Sequence, residues 1–154
     1  TIVLTGLLLS LFLQTTEPVD PVALEWFRKG EELIGTPQEN SQQQAEFFEK
    51  AVGQQPDFAV ARYNLALVYI KQEQPQAAVD QLDALIELEE TDPRGYLLRA
   101  RLLFEANQLD PADSDLNRAL ELDSENYQAW QFMGRIHYQK QQYREAVRAF
   151  EMVL

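Results

Sequence analysis

There is no cysteine in this chain and only one histidine, His137. Without thiols there can be no disulfide, no thiolate metal ligand and no cysteine nucleophile, and the redox compartment is left open. A lone imidazole has no second soft ligand beside it, so His137 is read as a packed or partly exposed side chain and no metal site is expected. Basic residues are scarce too: 13 Lys and Arg stand against 25 Asp and Glu, a net charge of -12. A nucleic-acid binder needs a basic footprint to displace counterions, so no nucleic-acid partner is expected. Glycine-rich phosphate loops, nucleophile motifs and acid/base pairs of distinctive spacing are missing, which leaves no candidate catalytic residue, no cofactor and no expectation of an enzyme. Sustained apolar/polar alternation is missing as well, so no strand is needed.

What is present begins with an uncharged run, TIVLTGLLLSLFLQTT (1–16), apolar from Ile2 to Leu13 except at Thr5, Gly6 and Ser10. As a helix, 16 residues would reach about 24 Å, short of the roughly 20 residues of a full span. A basic leader and a small-residue cleavage site, the marks of a secretory signal, are not seen around it. Residues 1–19 are expected to form a membrane anchor or a signal remnant plus linker, with an apolar segment packed on the rest as the plainer reading. The first charges are Glu17 and Asp20, and the first base is Arg28. By the positive-inside rule the remainder is then expected outside the cytoplasm, in a periplasmic or lumenal compartment.

From Asp20 onward the pattern is helical. Asp-Pro occurs at Asp20-Pro21, Asp92-Pro93 and Asp110-Pro111, each before an apolar periodic run. The Asp oxygen can cap free amides while Pro fills the first helical position, so three helix starts are expected there. Small residues recur at Ala66, Ala100 and Gly134 and again at Ala78, Ala112 and Ala146, and large ones at Phe48, Leu82, Leu116 and Phe150, all three series at an interval of 34. A two-helix unit of that length cannot bury its apolar face alone, so successive units must stack, with small residues admitting close helix approach and large ones filling the gap.

Period and motif together resemble the tetratricopeptide repeat, with its W-x2-L-G-x2-Y first helix and A-x3-F second helix. The last unit matches through Trp130, Met133, Gly134, Ala146 and Phe150, with His137 where Tyr is usual. The preceding units match through Tyr96, Ala100, Leu103, Ala112 and Leu116, and through Leu65, Ala66, Tyr69, Ala78 and Leu82. A degenerate first unit offers Trp26, Gly30, Leu33, Phe48, Ala51 and Pro56 once the loop around Thr36–Asn40 is allowed two extra residues. Departures are Arg62 at the Trp position, Arg99 at the Leu position and Gln44 at the Ala position. The resemblance implies an all-α, right-handed α-solenoid over residues 20–154, with repeats at 23–58, 59–92, 93–126 and an incomplete 127–154. Leu154 would then fall within a second helix, behind the apolar pair Val153-Leu154, and a cover for that end, from further chain or from another chain, is expected. The carboxylate clusters Glu87-Glu89-Glu90 and Asp113-Asp115 are read as solvated outer surface.

The same resemblance implies that the first helix of each repeat lines a concave groove for a partner protein. The groove positions are Val60, Tyr63, Leu67, Ile70 and Lys71, then Arg94, Leu97, Arg101, Phe104 and Glu105, then Gln128, Gln131, Arg135, Tyr138 and Gln139. Four bases face one acid there, against the balance of the whole chain, and aromatic and aliphatic side chains are interleaved with them. Such a groove suits an extended or helical segment bearing carboxylates and apolar anchors. The chaperone carboxylate clamp resembles this chain at Asn64 and loosely at Arg94, but Phe27, Glu31 and Leu98 stand at its other positions, so a chaperone-tail receptor is disfavoured. The expected function is a membrane-associated binding scaffold for complex assembly. The alternative is a structural subunit whose groove is permanently filled by a neighbour or by self-association.

Overall fold

The computed structural model describes residues 18–153, so the run expected as an anchor or signal lies outside the described residues. The described residues form eight helices and no strand: α1 (Pro21–Glu31), α2 (Gln42–Gln54), α3 (Ala59–Lys71), α4 (Pro75–Leu88), α5 (Pro93–Glu105), α6 (Leu109–Leu122), α7 (Tyr127–Gln139) and α8 (Tyr143–Glu151). None of them is long and apolar enough to cross a membrane.

Two of the three Asp-Pro starts are helix caps. Asp20 accepts from the amides of Val22 (2.8 Å) and Ala23 (3.0 Å), and Asp92 accepts from that of Arg94 (2.9 Å). Asn126 and Ser41 do the same for α7 and α2. The third start is corrected: α6 begins at Leu109 behind an uncapped Gln108, so Asp110 and Pro111 already lie in the first turn. Proline is tolerated there because amides in the first turn have no partner within the helix. Asp110 instead holds Lys140 Nζ at 2.6 Å.

The 34-residue period is written into the backbone between paired helices. Glu73, Asn107 and Gln141 sit in the left-handed region (φ 58°, 57° and 60°). The next amide in each case, of Gln74, Gln108 or Gln142, bonds back to the carbonyl of Tyr69, Leu103 or His137 at 2.8–2.9 Å. This closes the orphan carbonyls at a helix C-terminus. The first pair departs from that period, with a longer loop through Gly35 (φ 77°) and Asn40 (φ 59°).

The chain divides into two compact units, Thr1–Gln81 and Leu82–Leu154. In the first, Phe27 lies 5.6 Å from Phe48 and 5.1 Å from Phe58, ring centre to centre, within a core completed by Ala23, Ala45, Ala51, Ala61, Leu65 and Val68. Gly30 allows the close approach of α2: a Cβ there would stand 2.5 Å from the Phe48 ring. Gln44, at a position where the repeat calls for Ala, is buried and fully used. Its Nε2 donates to the Gly30 carbonyl (2.9 Å), and its Oε1 accepts from the Asn40 amide (2.6 Å). Arg62, in place of Trp, donates to the Pro56 carbonyl and to Gln81 Oε1.

In the second unit, α5 packs on α6, α6 on α7 and α7 on α8, around Ala100, Phe104, Ala112, Leu116, Leu120, Ala129, Met133, Ile136 and Ala149. Gly134 repeats the Gly30 device, its Cβ position lying 2.5 Å from the Phe150 ring. Phe150, expected to fill a gap between helices like its counterparts, is 39% exposed, whereas Phe48 is 1% and Leu82 and Leu116 are 0% exposed. The helix α8 also stops at Glu151, short of the expected Leu154.

Not all of the acidic clusters lie on a solvated outer surface. Asp115, read as outer surface, is buried and receives both Nε (2.8 Å) and Nη2 (2.7 Å) of Arg99. Arg99 Nη1 donates to Asp83 at 2.8 Å. The hydrogen bond to Asp115 holds the guanidinium pKa well above its usual value in spite of burial, with Asp83 adding to it. An arginine at the leucine position thus brings its own counter-ions, because a buried charge without partners would cost several kcal/mol.

Candidate partner-binding surface

The predicted groove residues fall on α3, α5 and α7 at helical spacing, so those on each helix share one stripe. On α3, Tyr63, Asn64 and Leu67 are half-buried and Lys71 is exposed. These belong to the first unit. On α5 and α7, which pack together in the second unit, Arg94, Leu97 and Arg101 are half-buried, Phe104 is buried, and Gln131, Arg135 and Tyr138 are exposed.

The bases of this second group differ in how far they are committed. Arg94 binds the Asp92 carboxylate that caps its own helix, with Nε at 2.9 and 3.0 Å from the two oxygens. Burial pushes the Asp92 carboxyl up, but the Arg94 hydrogen bonds outweigh it and hold the pKa below its usual value. Arg101 approaches Glu105 only at 3.9 Å, and its Nε is buried without a hydrogen-bond partner. Among the described residues, Arg135 has no carboxylate partner. Its guanidinium instead lies 4.5 Å from the Phe104 ring centre and 5.3 Å from that of Phe132. These two rings meet edge to face at 5.9 Å. Stacking on an aromatic face fixes the plane of a guanidinium while leaving its N–H edge for a ligand. Phe104 is therefore covered by Arg135 and Phe132 and is 8% exposed, while Tyr138 stands open beside Tyr143 of α8, ring centres 5.6 Å apart.

His137 is half-buried and its Nδ1 lies 2.8 Å from Gln142 Oε1, next to the turn at Gln141. Among the described residues no group of three or more His, Cys, Asp or Glu could hold a metal ion.

The described geometry is that of an all-α helical-repeat protein whose chemistry is display of side chains along helix faces. The chain belongs to the family described as the tetratricopeptide repeat protein 21 C-terminal ARM domain, whose model matches residues 7–153. It is similar to the human protein O-mannosyl-transferase TMTC1, with 32% identity over 94 residues. That match covers 58% of this chain and only 11% of the relative, so the chain spans about a tenth of that protein's length. Among solved structures it resembles a crystal structure of MamA, with a TM-score of 0.78, 23% identity and coverage of 87% of this chain and 78% of that one. It also resembles YrrB, described as a TPR protein with an unusual peptide-binding site, with a TM-score of 0.75, 24% identity and coverage of 85% and 66%. At these identities the two structures speak for the fold alone.

Proposed function

We propose that this chain is a non-catalytic scaffold that binds an extended acidic segment of another protein along the shared face of α5 and α7. The observation that carries the reading is Arg135, seated on Phe104 and without a carboxylate partner in a chain of net charge -12. In such a chain an exposed arginine would be expected to find an internal acid, so an oriented and unpaired one favours a carboxylate supplied from outside. Arg101, only loosely paired with Glu105, stands next in line, and Tyr138 and Leu97 offer apolar contact. The peptide-binding site named for YrrB supports the same use of the fold. The wider reading also has the run Ile2–Leu13 tether the repeat domain to a membrane on its extracytoplasmic side, where it would serve the assembly of a larger complex. A structural subunit with this face permanently occupied is the second reading, favoured by Tyr138, which stands open on that face at 63% exposure.

Exposed charge pairs contribute about 0–1 kcal/mol each, so apolar contacts should supply most of the affinity and the arginines the selectivity. The test is selection of displayed random peptides on the full chain and on an Arg101→Glu, Arg135→Glu variant. Peptides rich in Asp and Glu with interspersed aromatics are expected from the intact chain and should be lost with the variant. Recovery of the same peptides by both proteins would refute the reading.

A further inference from the structure

Arg101 and Arg135 stand one 34-residue period apart, on the helices α5 and α7 that pack together. Arg135 reaches from α7 onto α5, where its guanidinium lies 4.5 Å from the Phe104 ring centre. Phe104 follows Arg101 by three residues, so the two charges share one stripe of α5, about a turn apart. What balances them differs. Four residues beyond Arg101 stands Glu105, the only acid in α5 or α7, whereas four beyond Arg135 stands Gln139, which carries no charge. The Glu105 side chain is 61% exposed, and its Oε1 lies 3.9 Å from Arg101 Nε. That separation is beyond hydrogen-bond distance. Nε itself is shut off from solvent and has no hydrogen-bond partner among the described residues. Glu105 therefore offsets the Arg101 charge without supplying the acceptor that Nε lacks.

We propose that Glu105 is an internal competitor: it holds the place of a partner's carboxylate at Arg101 and is displaced when an acidic segment binds. The inference rests on the reading of α5 and α7 as the site for such a segment. An exposed pair within one helix is weak, and this one lacks a hydrogen bond, so little holds Glu105 in place. An incoming carboxylate that docks on the guanidinium edge gains charge-assisted hydrogen bonds that Glu105 does not make. Arg135, with no acid on its own helix, is open from the start, whereas Arg101 is guarded. A segment already held at Arg135 presents its next carboxylate to Arg101 at high effective concentration and can displace Glu105; a lone carboxylate from solution cannot compete as well. The guard thus selects segments that carry two carboxylates over those that carry one, and it does so by raising the cost of the wrong partner.

The experiment is titration of the full chain and of Glu105→Gln with an acidic peptide selected on the full chain, and with forms of that peptide amidated at one acid at a time. The Arg101 Nε–H resonance of isotope-labelled protein is followed in parallel. Glu105 is exposed, so its substitution leaves the core intact. Glu105→Gln is expected to bind the peptide about two- to fivefold more tightly, the range open to an exposed charge pair. It should also discriminate less between the parent peptide and its singly amidated forms. In an Arg101→Gln background the same substitution should bring no gain. The Nε–H signal should move downfield as wild-type protein takes up the peptide, because a hydrogen bond then forms. A gain that persists in the Arg101→Gln background would mean general repulsion of acids and would overturn the proposal, as would unchanged or weaker binding by Glu105→Gln. Either result leaves the α5 and α7 reading standing, provided that Arg101→Glu, Arg135→Glu still loses the peptide. A full chain that selects no acidic peptide overturns both.

Discussion

One added methyl group should have unequal effects at two places that look alike. An ideal Cβ at Gly30 would lie 2.5, 2.8 and 2.8 Å from three carbons of the Phe48 ring, and one at Gly134 would lie 2.5, 2.7 and 2.7 Å from the same carbons of Phe150. Ordinary carbon contacts lie at about 3.5–4.0 Å, so either ring must retreat by about 1 Å. Phe48 is enclosed, 1% exposed and packed on Phe27. Overpacking of that kind costs about 1–3 kcal/mol, while Gly→Ala in a helix interior returns about 1 kcal/mol. Gly30→Ala should therefore lose up to about 2 kcal/mol. Phe150 is 39% exposed and can swing toward solvent, so Gly134→Ala should stay within about 0.5 kcal/mol of neutral by the same balance. The assay is urea denaturation of the full chain followed by tryptophan fluorescence. Trp26 reports on the first unit in a Trp130→Phe background, and Trp130 on the second in a Trp26→Phe background. Adding Phe48→Leu to Gly30→Ala should recover part of the loss. A Gly134→Ala loss equal to that of Gly30→Ala would refute the reasoning, because it would mean that enclosure of the ring does not set the cost.

Asp115→Ala should destabilise by about 2–3 kcal/mol, since it leaves the Arg99 guanidinium with Asp83 alone, and Arg99→Leu combined with Asp115→Ala should recover most of that in the same denaturation assay. Glu73→Gly and Gln141→Gly should each raise the urea midpoint, by a gain of about 0.5–1 kcal/mol, because φ near 60° strains an L side chain and not glycine; Ala at either site should bring no gain. Burial, with Asp92 nearby, raises the Glu89 pKa, so the folded state binds that proton more tightly than the unfolded chain and ionisation at neutral pH opposes folding. Glu89→Gln should therefore stabilise by a fraction of a kcal/mol at pH 7, with the gain vanishing below about pH 4, where both states are protonated; a gain that persists at low pH would refute the assignment to ionisation.

The repeat was readable because stacking forces small and large residues to recur at fixed positions, and Ala66, Ala100 and Gly134 carry that constraint openly. The caps at Asp20 and Asp92 were readable for the same reason, since local geometry decides them. Asp110 looked identical in sequence, but the turn at Asn107 and Gln108 starts α6 two residues earlier, and the pairing of Asp110 with Lys140 depends on residues 30 positions away. Asp115 was misread because charge patterning says nothing of a partner 16 residues upstream. The one hint was Arg99 at a position that the repeat gives to leucine. At the candidate surface, spacing placed Arg101, Arg135 and Tyr138 on their stripes, but it could not show that Asp92 already holds Arg94 or that Phe104 is roofed by Arg135. Those are contacts between side chains, and no periodicity encodes them.

The most direct measurement is a backbone amide shift map of the isotope-labelled full chain during titration with an acidic peptide obtained by the selection on it. Binding along α5 and α7 predicts shifts concentrated in residues 94–105 and 128–139, with Arg135 among the largest and with α6 and α8 silent. Saturable binding whose shifts fall instead on α6 or α8 would contradict the account.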